Sequence, residues 1–280
     1  MASNLALRIA TGLVLIAAIL AALFLLPPAG FGIVMLAIVT AAAHEWARLV
    51  ELRGAAALAL PALVLGVGAA LLALAAAVGF APVVAGACGV AALYWIGAGV
   101  PSVVANWQPA SRVVRALAAL VVLEGALVAI VALQARSPVL ALAAMAIVWI
   151  ADTAAYFTGR RFGRHKLAPR ISPGKTWEGV AGALAAVVVY ALLLVPLARR
   201  AGFEARVDAA SIAAWVLLAS ALVALSIVGD LHESLLKRRA GVKDSGTLLP
   251  GHGGVLDRID ALLAAMPAVA LASLAFLRSE

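Results

Sequence analysis

The sequence predicts an all-α, polytopic transmembrane protein with about nine spans and a cytoplasmic N-terminus. Three observations carry that expectation. The chain is 66% hydrophobic and 12% charged over 280 residues, whereas a soluble domain lies nearer half apolar and a quarter charged. Its apolar runs approach the roughly 20 residues that a helix needs to cross hydrocarbon. Its Lys and Arg gather at alternate ends of those runs instead of spreading evenly.

Taken in order, the expected spans cover about 7–26, 30–47, 56–78, 80–100, 113–134, 138–158, 177–198, 211–229 and 257–277, each a predominantly apolar stretch. The first has Arg8 at its start, is longer than a signal-peptide core and lacks a clear small-residue cleavage site, so it is expected to be retained. Pro27-Pro28, Gly54, Pro101, Pro109, Pro138 and Pro173-Gly174 punctuate the series, as helix breakers do. Only Gly79 parts the third run from the fourth, so that pair reads equally as distorted or re-entrant segments.

Sorting the 21 Lys and Arg onto the two sides of this layout puts 16 with the N-terminus and five opposite. Basic residues concentrate in cytoplasmic loops, so the N-terminus is expected inside and the C-terminus outside. The same bias accounts for much of the net charge of +8 and calls for no nucleic-acid partner. Cys88 is the single cysteine and lies within an apolar run, which excludes an intramolecular disulfide or a cysteine zinc site.

In this layout two charge-rich loops, 159–176 and 230–256, fall on one face, where they can share a site. Seven of the 13 acidic residues lie in those loops or at nearby span ends: Asp152, Glu178, Asp230, Glu233, Asp244, Asp257 and Asp260. Residues 1–135 are therefore expected to form a scaffold of spans, and 136–280 the catalytic region.

Asp230, Glu233, Ser234 and Lys237 recur at i, i+3, i+4 and i+7, which stacks them on one helical face. Asp257 and Asp260 share a face at the start of the last span, with Arg258 between them. An ionised carboxylate entering hydrocarbon costs roughly 2.5–3.5 kcal/mol, so two on one stripe need a cation. A divalent ion with oxygen ligands suits them, and Mg2+ with carboxylates and phosphates is the usual case. Gly251, Gly253 and Gly254 lead into that helix, a backbone arrangement that accepts anions. Lys237, Arg238, Arg239 and Lys243 add positive charge, and the turn Ser172-Pro173-Gly174-Lys175-Thr176 adds a second basic set. The sum points to nucleotide phosphoryl chemistry. A P-loop is excluded because Pro169 stands where its first glycine would be.

Other polar residues divide between structural and functional roles. Asp152 reads as functional, because carboxylates within membranes usually are. His252, set among glycines, also reads as functional. His44 and Glu45 read as ordinary interfacial residues and His165 as solvated. Glu124, mid-span, reads equally as a buried acid or a functional one.

The stretch Ser234-Leu-Leu-Lys237-Arg238, then Lys243-Asp244, then Pro250-Gly251-His252-Gly253-Gly254-Val-Leu-Asp257-Arg258-Ile-Asp260 resembles the signature of the phosphatidate cytidylyltransferase (CDP-diacylglycerol synthase) family. Upstream, ADTAAYFTGRRFGRHKLAPRISPGKTWEG is similar to the bacterial members' segment, apart from Ala154, where many carry Gly. The close match runs from about 150 to 265; the earlier half is similar only as a series of apolar spans. The resemblance implies a polytopic, typically homodimeric enzyme of the bacterial cytoplasmic (inner) membrane whose active site faces the cytoplasm. It would join CTP to phosphatidic acid and release pyrophosphate. It implies Mg2+ on Asp230 and Asp257, with Asp152 completing the shell and room for a second cation such as K+. Lys237, Arg238, Lys243, Asp244, His252, Arg258 and Asp260 are then expected to be catalytic. Ser172, Lys175, Thr176, Gly253 and Gly254 are expected to bind the nucleotide phosphates. A CTP-dependent lipid-alcohol kinase fits less well, since it would not share the Lys-Asp to His-Gly-Gly stretch. A CDP-alcohol phosphatidyltransferase lacks support because Asp-Gly-x-x-Ala-Arg is absent. A transporter would place its charges near mid-bilayer.

Overall fold

The computed structural model describes residues 2–200 and 209–276. Along them run α1 (Ala2–Leu25), α2 (Pro28–Leu49), α3 (Ala55–Val78), α4 (Phe80–Tyr94), a π-helical turn (Trp95–Gly99), α5 (Val100–Val104), α6 (Arg112–Arg136) and α7 (Pro138–Phe162). A two-stranded antiparallel hairpin follows, β1 (Lys166–Ala168) and β2 (Ser172–Thr176). Then come α8 (Trp177–Arg200), α9 (Ala209–Arg239) and α10 (Leu256–Phe276). Seven of the described helical stretches are long and apolar enough to cross a membrane: α2, α3, α4 through α5, α6, α7, α8 and α9. The chain is an integral membrane protein of the all-α class. Arg206, Arg278 and the end of the last expected span at 277 lie outside the described residues.

The helix starts follow from their first residues. Pro28 and Pro138 open α2 and α7, where a missing N–H costs nothing. Ser111 and Ser137 accept from Val114 N and Leu140 N, both at 3.4 Å, and so satisfy donors that the first helical turn leaves free. Gly79 joins α3 to α4 at φ 86°, a backbone region that glycine enters without penalty. The pair is two full helices with a sharp joint. The π turn precedes Pro101, whose ring nitrogen has no hydrogen to give an α-helical partner. It presents buried Trp95, whose Nε1 donates to Leu263 O at 3.2 Å.

Two spans outrun their expected ends. α7 continues to Phe162 and α9 to Arg239, so the charged loops shorten to 163–176 and 240–255. Lys237 meets Glu233 one turn back, which sustains α9 beyond its apolar part. The helix then closes with Gly241 at φ 69°. Gly241 N donates to Arg238 O at 3.2 Å and Val242 N to Lys237 O at 3.0 Å, the paired C-terminal bonds that a left-handed glycine allows. The turn expected at Ser172–Thr176 is strand β2, pairing Thr176 with Lys166 and Ser172 with Ala168.

α6 forms the centre, touching α2, α3, α4, α7 and α10. One apolar core extends from Leu23 through Trp46, Leu127 and Met145 to Met266, so residues before and after 135 pack as one body. A smaller core of Ala151, Ala183, Val187 and Val223 joins α7, α8 and α9. A third, Ile171 with Leu231 and Leu235, fixes the hairpin to α9.

Candidate active site

That third core decides where Lys175 goes. Ile171 is buried against α9, and Arg238 Nε donates to Ile171 O at 3.2 Å. β2 therefore passes beside the polar face of α9, and Lys175 Nζ reaches Asp230 Oδ2 at 2.7 Å. Thr176 is buried; its Oγ1 accepts from Gly179 N at 3.2 Å and starts α8. The two expected loops share one end of the bundle.

The face of α9 runs as its spacing requires. Ser234 Oγ donates to Asp230 Oδ1 at 3.2 Å. One turn on, Lys237 Nζ lies between Glu233 and Asp257, 2.6 Å from Asp257 Oδ1. The other oxygen of Asp257 accepts from Gly254 N at 2.8 Å and Ser245 N at 2.9 Å, and stands 3.0 Å from Ser245 Oγ. Both of its oxygens are thereby engaged. Asp260 is half-buried and within electrostatic reach of Asp230, Lys175 and Lys237. Asp152 is exposed on α7 and interacts with Lys175 and Asp230.

Five carboxylates, Asp152, Asp230, Glu233, Asp257 and Asp260, thus surround two ammonium groups. The excess negative charge and the oxygen-only donor set favour a hard divalent cation. Among the described residues no three His, Cys, Asp or Glu stand close enough to hold one alone. Any such ion needs further oxygens from water or a phosphate, which is how Mg2+ is commonly held.

The glycine run does something other than expose backbone. Leu249 N donates to Gly253 O and His252 N to Leu249 O, each at 2.9 Å, a tight turn with Gly251 at φ 76° and Gly253 at φ 83°. A Cβ on Gly253 would stand 2.8 Å from Asp257 Oδ2, and one on Gly254 would overlap Ser245 Oγ and the Glu45 carboxylate. The glycines let the loop lie directly on two carboxylates. Lys243, Asp244 and Arg258 are exposed beside it. His252 turns toward α1, with Nδ1 2.9 Å from Thr11 Oγ1, and Ser172 lies half-buried on β2. So Lys175, Asp230, Lys237, Asp257 and Asp260 are brought together, with Asp152 at their edge, while Thr176, Arg238 and His252 make structural contacts.

Sequence reasoning missed Glu45 as a part of this region. It is 4% exposed and binds the loop from α2; the signal present was a carboxylate beside Trp46 at the end of an apolar run. Ser245, buried between Glu45 and Asp257, was also passed over. Glu124 is buried near Gly68 of α3, and neither of its oxygens has a hydrogen-bond partner among the described residues.

A family model described as the cytidylyltransferase family matches residues 6–276. The chain belongs to the cytidylyltransferase family. This makes it one of a family of nucleotidyltransferases. Among curated relatives, a phosphatidate cytidylyltransferase of Pseudomonas aeruginosa is 40% identical over 276 residues, covering 94% of each chain. Those of Haemophilus influenzae and Thermotoga maritima are 51% and 43% identical over 121 and 127 residues. These shorter matches span 41% and 46% of those relatives' length. The cytidylyltransferase match thus reaches well before the signature region, into the helices that supply Glu45.

Proposed function

We propose that the protein is a phosphatidate cytidylyltransferase, converting CTP and phosphatidic acid into CDP-diacylglycerol and pyrophosphate. The supporting observation is the pair of lysines, Lys175 and Lys237, each held on a carboxylate at 2.6–2.7 Å where the helices meet the loops. One reactant dissolves in water and the other lies in the bilayer, so their phosphates can meet only at such a rim.

A phosphate oxygen of phosphatidic acid attacks the α-phosphorus of CTP. A new P–O bond forms, the bond from α-phosphorus to the bridging oxygen breaks, and its electron pair leaves with pyrophosphate. The attacking phosphate is already anionic at neutral pH, so no general base is needed. The barrier lies in bringing two polyanions together and in charge developing on the leaving group. Lys175 shifts from its carboxylate toward the phosphates and Lys237 meets them from its place beside Asp257, with Lys243 and Arg258 screening from the open side. Asp230 and Asp257, with Asp152 and Asp260 adjoining, are the residues that would hold Mg2+, and a second cation such as K+ fits the remaining negative charge. Mg2+ there supplies charge neutralisation and in-line alignment. Arg238 holds the hairpin in place and His252 the loop, and Gly253 and Gly254 admit the loop to its seat. We place the site on the cytoplasmic face of the bacterial inner membrane, in a homodimer.

The test uses purified full-length protein in detergent with labelled CTP, phosphatidic acid and Mg2+. CDP-lipid and pyrophosphate are expected in equal amounts. Release of CDP with phosphate moved onto a lipid alcohol would overturn the reading.

A further inference from the structure

Val255 and Leu256 lead into α10, so their backbone N–H groups have no partner within the helix. Both donate to Glu45 of α2: Val255 N to Oε1 at 3.0 Å and Leu256 N to Oε2 at 2.8 Å. Ser245 Oγ lies 2.9 Å from the same Oε2 and 3.0 Å from Asp257 Oδ2. A hydroxyl has one proton to give, so Ser245 donates to one carboxylate at a time and keeps both drawn around a single oxygen. Asp257 in turn holds Lys237, and Lys237 holds Glu233. Polar contacts therefore run unbroken from α2, through the loop and α10, to α9. Gly246 and Gly254 pack so closely on the Glu45 carboxylate that a Cβ at either would overlap it.

We propose that Glu45 is a positioning residue for the reaction: by capping α10 and gripping Ser245 it sets the position of Asp257, and through it the Lys237 ammonium group. This deepens the proposed nucleotidyl transfer and rests on it. An acceptor-only group is required, since two N–H donors and one O–H converge on it; an amide would turn its own N–H2 toward a donor. The N-terminal end of a helix dipole also favours a negative charge. Displacing a phosphate-facing cation by about 1 Å costs on the order of 100-fold in rate.

Glu45→Gln, Ser245→Ala and their combination, made in the full-length protein, test this. Glu45→Gln is expected to lower kcat about 100-fold while KM for CTP changes by no more than about threefold, as removal of a transition-state contact does. Hydrogen exchange across 245–257 should accelerate while α6 stays protected. The double variant should fall no further than the worse single one, because both act through Asp257. Glu51→Gln, in an exposed pair with Arg112, should leave every readout unchanged. A folded Glu45→Gln protein with wild-type kcat, or additive losses in the double variant, overturns the proposal. If Glu45→Gln does not fold, Ser245→Ala decides: full turnover overturns the proposal and a selective kcat loss upholds it. Wild-type protein that forms no CDP-lipid overturns the proposed function as well, whereas active wild type with an unaffected Glu45→Gln overturns only this inference.

Discussion

The hairpin 166–176 and the loop 240–255 bring charge to the same patch, yet they are secured by opposite means. The hairpin holds itself. β1 pairs with β2, Trp177 N donates to His165 O at 3.0 Å, and Glu178 accepts from His165 N at 3.2 Å; Ile171 at its turn and Thr176 at its base are the side chains driven into the body. The loop has few bonds of its own. It is held from outside, by Glu45 of α2, by Asp257 of α10 and, at His252, by Thr11 of α1. A self-paired element confines damage to its neighbourhood. An element seated on distant carboxylates passes damage between helices far apart in sequence.

Substitutions can break or sharpen this contrast, beginning with the most severe. Asp257→Ala removes the loop's seat and strands Lys237 beside Glu233; breaking such a buried pair costs about 3–5 kcal/mol. Turnover with labelled CTP should vanish, and hydrogen exchange should show the whole of 245–257 loosened. Lys175→Ala leaves Asp230 without its cation but does not touch the hairpin's backbone pairing. Loss of one charge-stabilising group should lower kcat about 10²–10³-fold, with exchange across 163–176 unchanged. Gly254→Ala forces a methyl against Ser245 and Glu45, an overpacking worth about 1–3 kcal/mol, seen as a lower Tm in detergent. Gly174→Ala, in the hairpin with nothing within 4 Å, should change neither Tm nor turnover. If the two alanines behaved alike, the contrast would fail.

Much of this could be seen in the sequence, for reasons that particular residues make plain. The helices announce themselves because apolar runs near bilayer length have few other uses. The face of Asp230, Glu233, Ser234 and Lys237 appears because helical spacing is local. Glu45 was hidden because its partners, Ser245, Val255 and Leu256, lie about 200 residues away, and nothing in its own neighbourhood distinguishes it from an interfacial acid. The apolar span of α9 ends at 229 because hydropathy ends there, while the Glu233–Lys237 pair that carries the helix onward is charged. The hairpin escaped notice since its short strands hold Pro173 and Gly174, which read as a turn.

Thr176 sits where α7 and α8 cross, with Gly159, Gly163 and Gly179 all close against its side chain. That crossing leaves the main chain at the base of β2 no room to swing. Lys175, its neighbour, is therefore a charge on a fixed mooring, able to move only within the sweep of four methylene groups. In the proposed transfer, the reach of that tether sets how far from the helix ends a phosphate can be and still be caught.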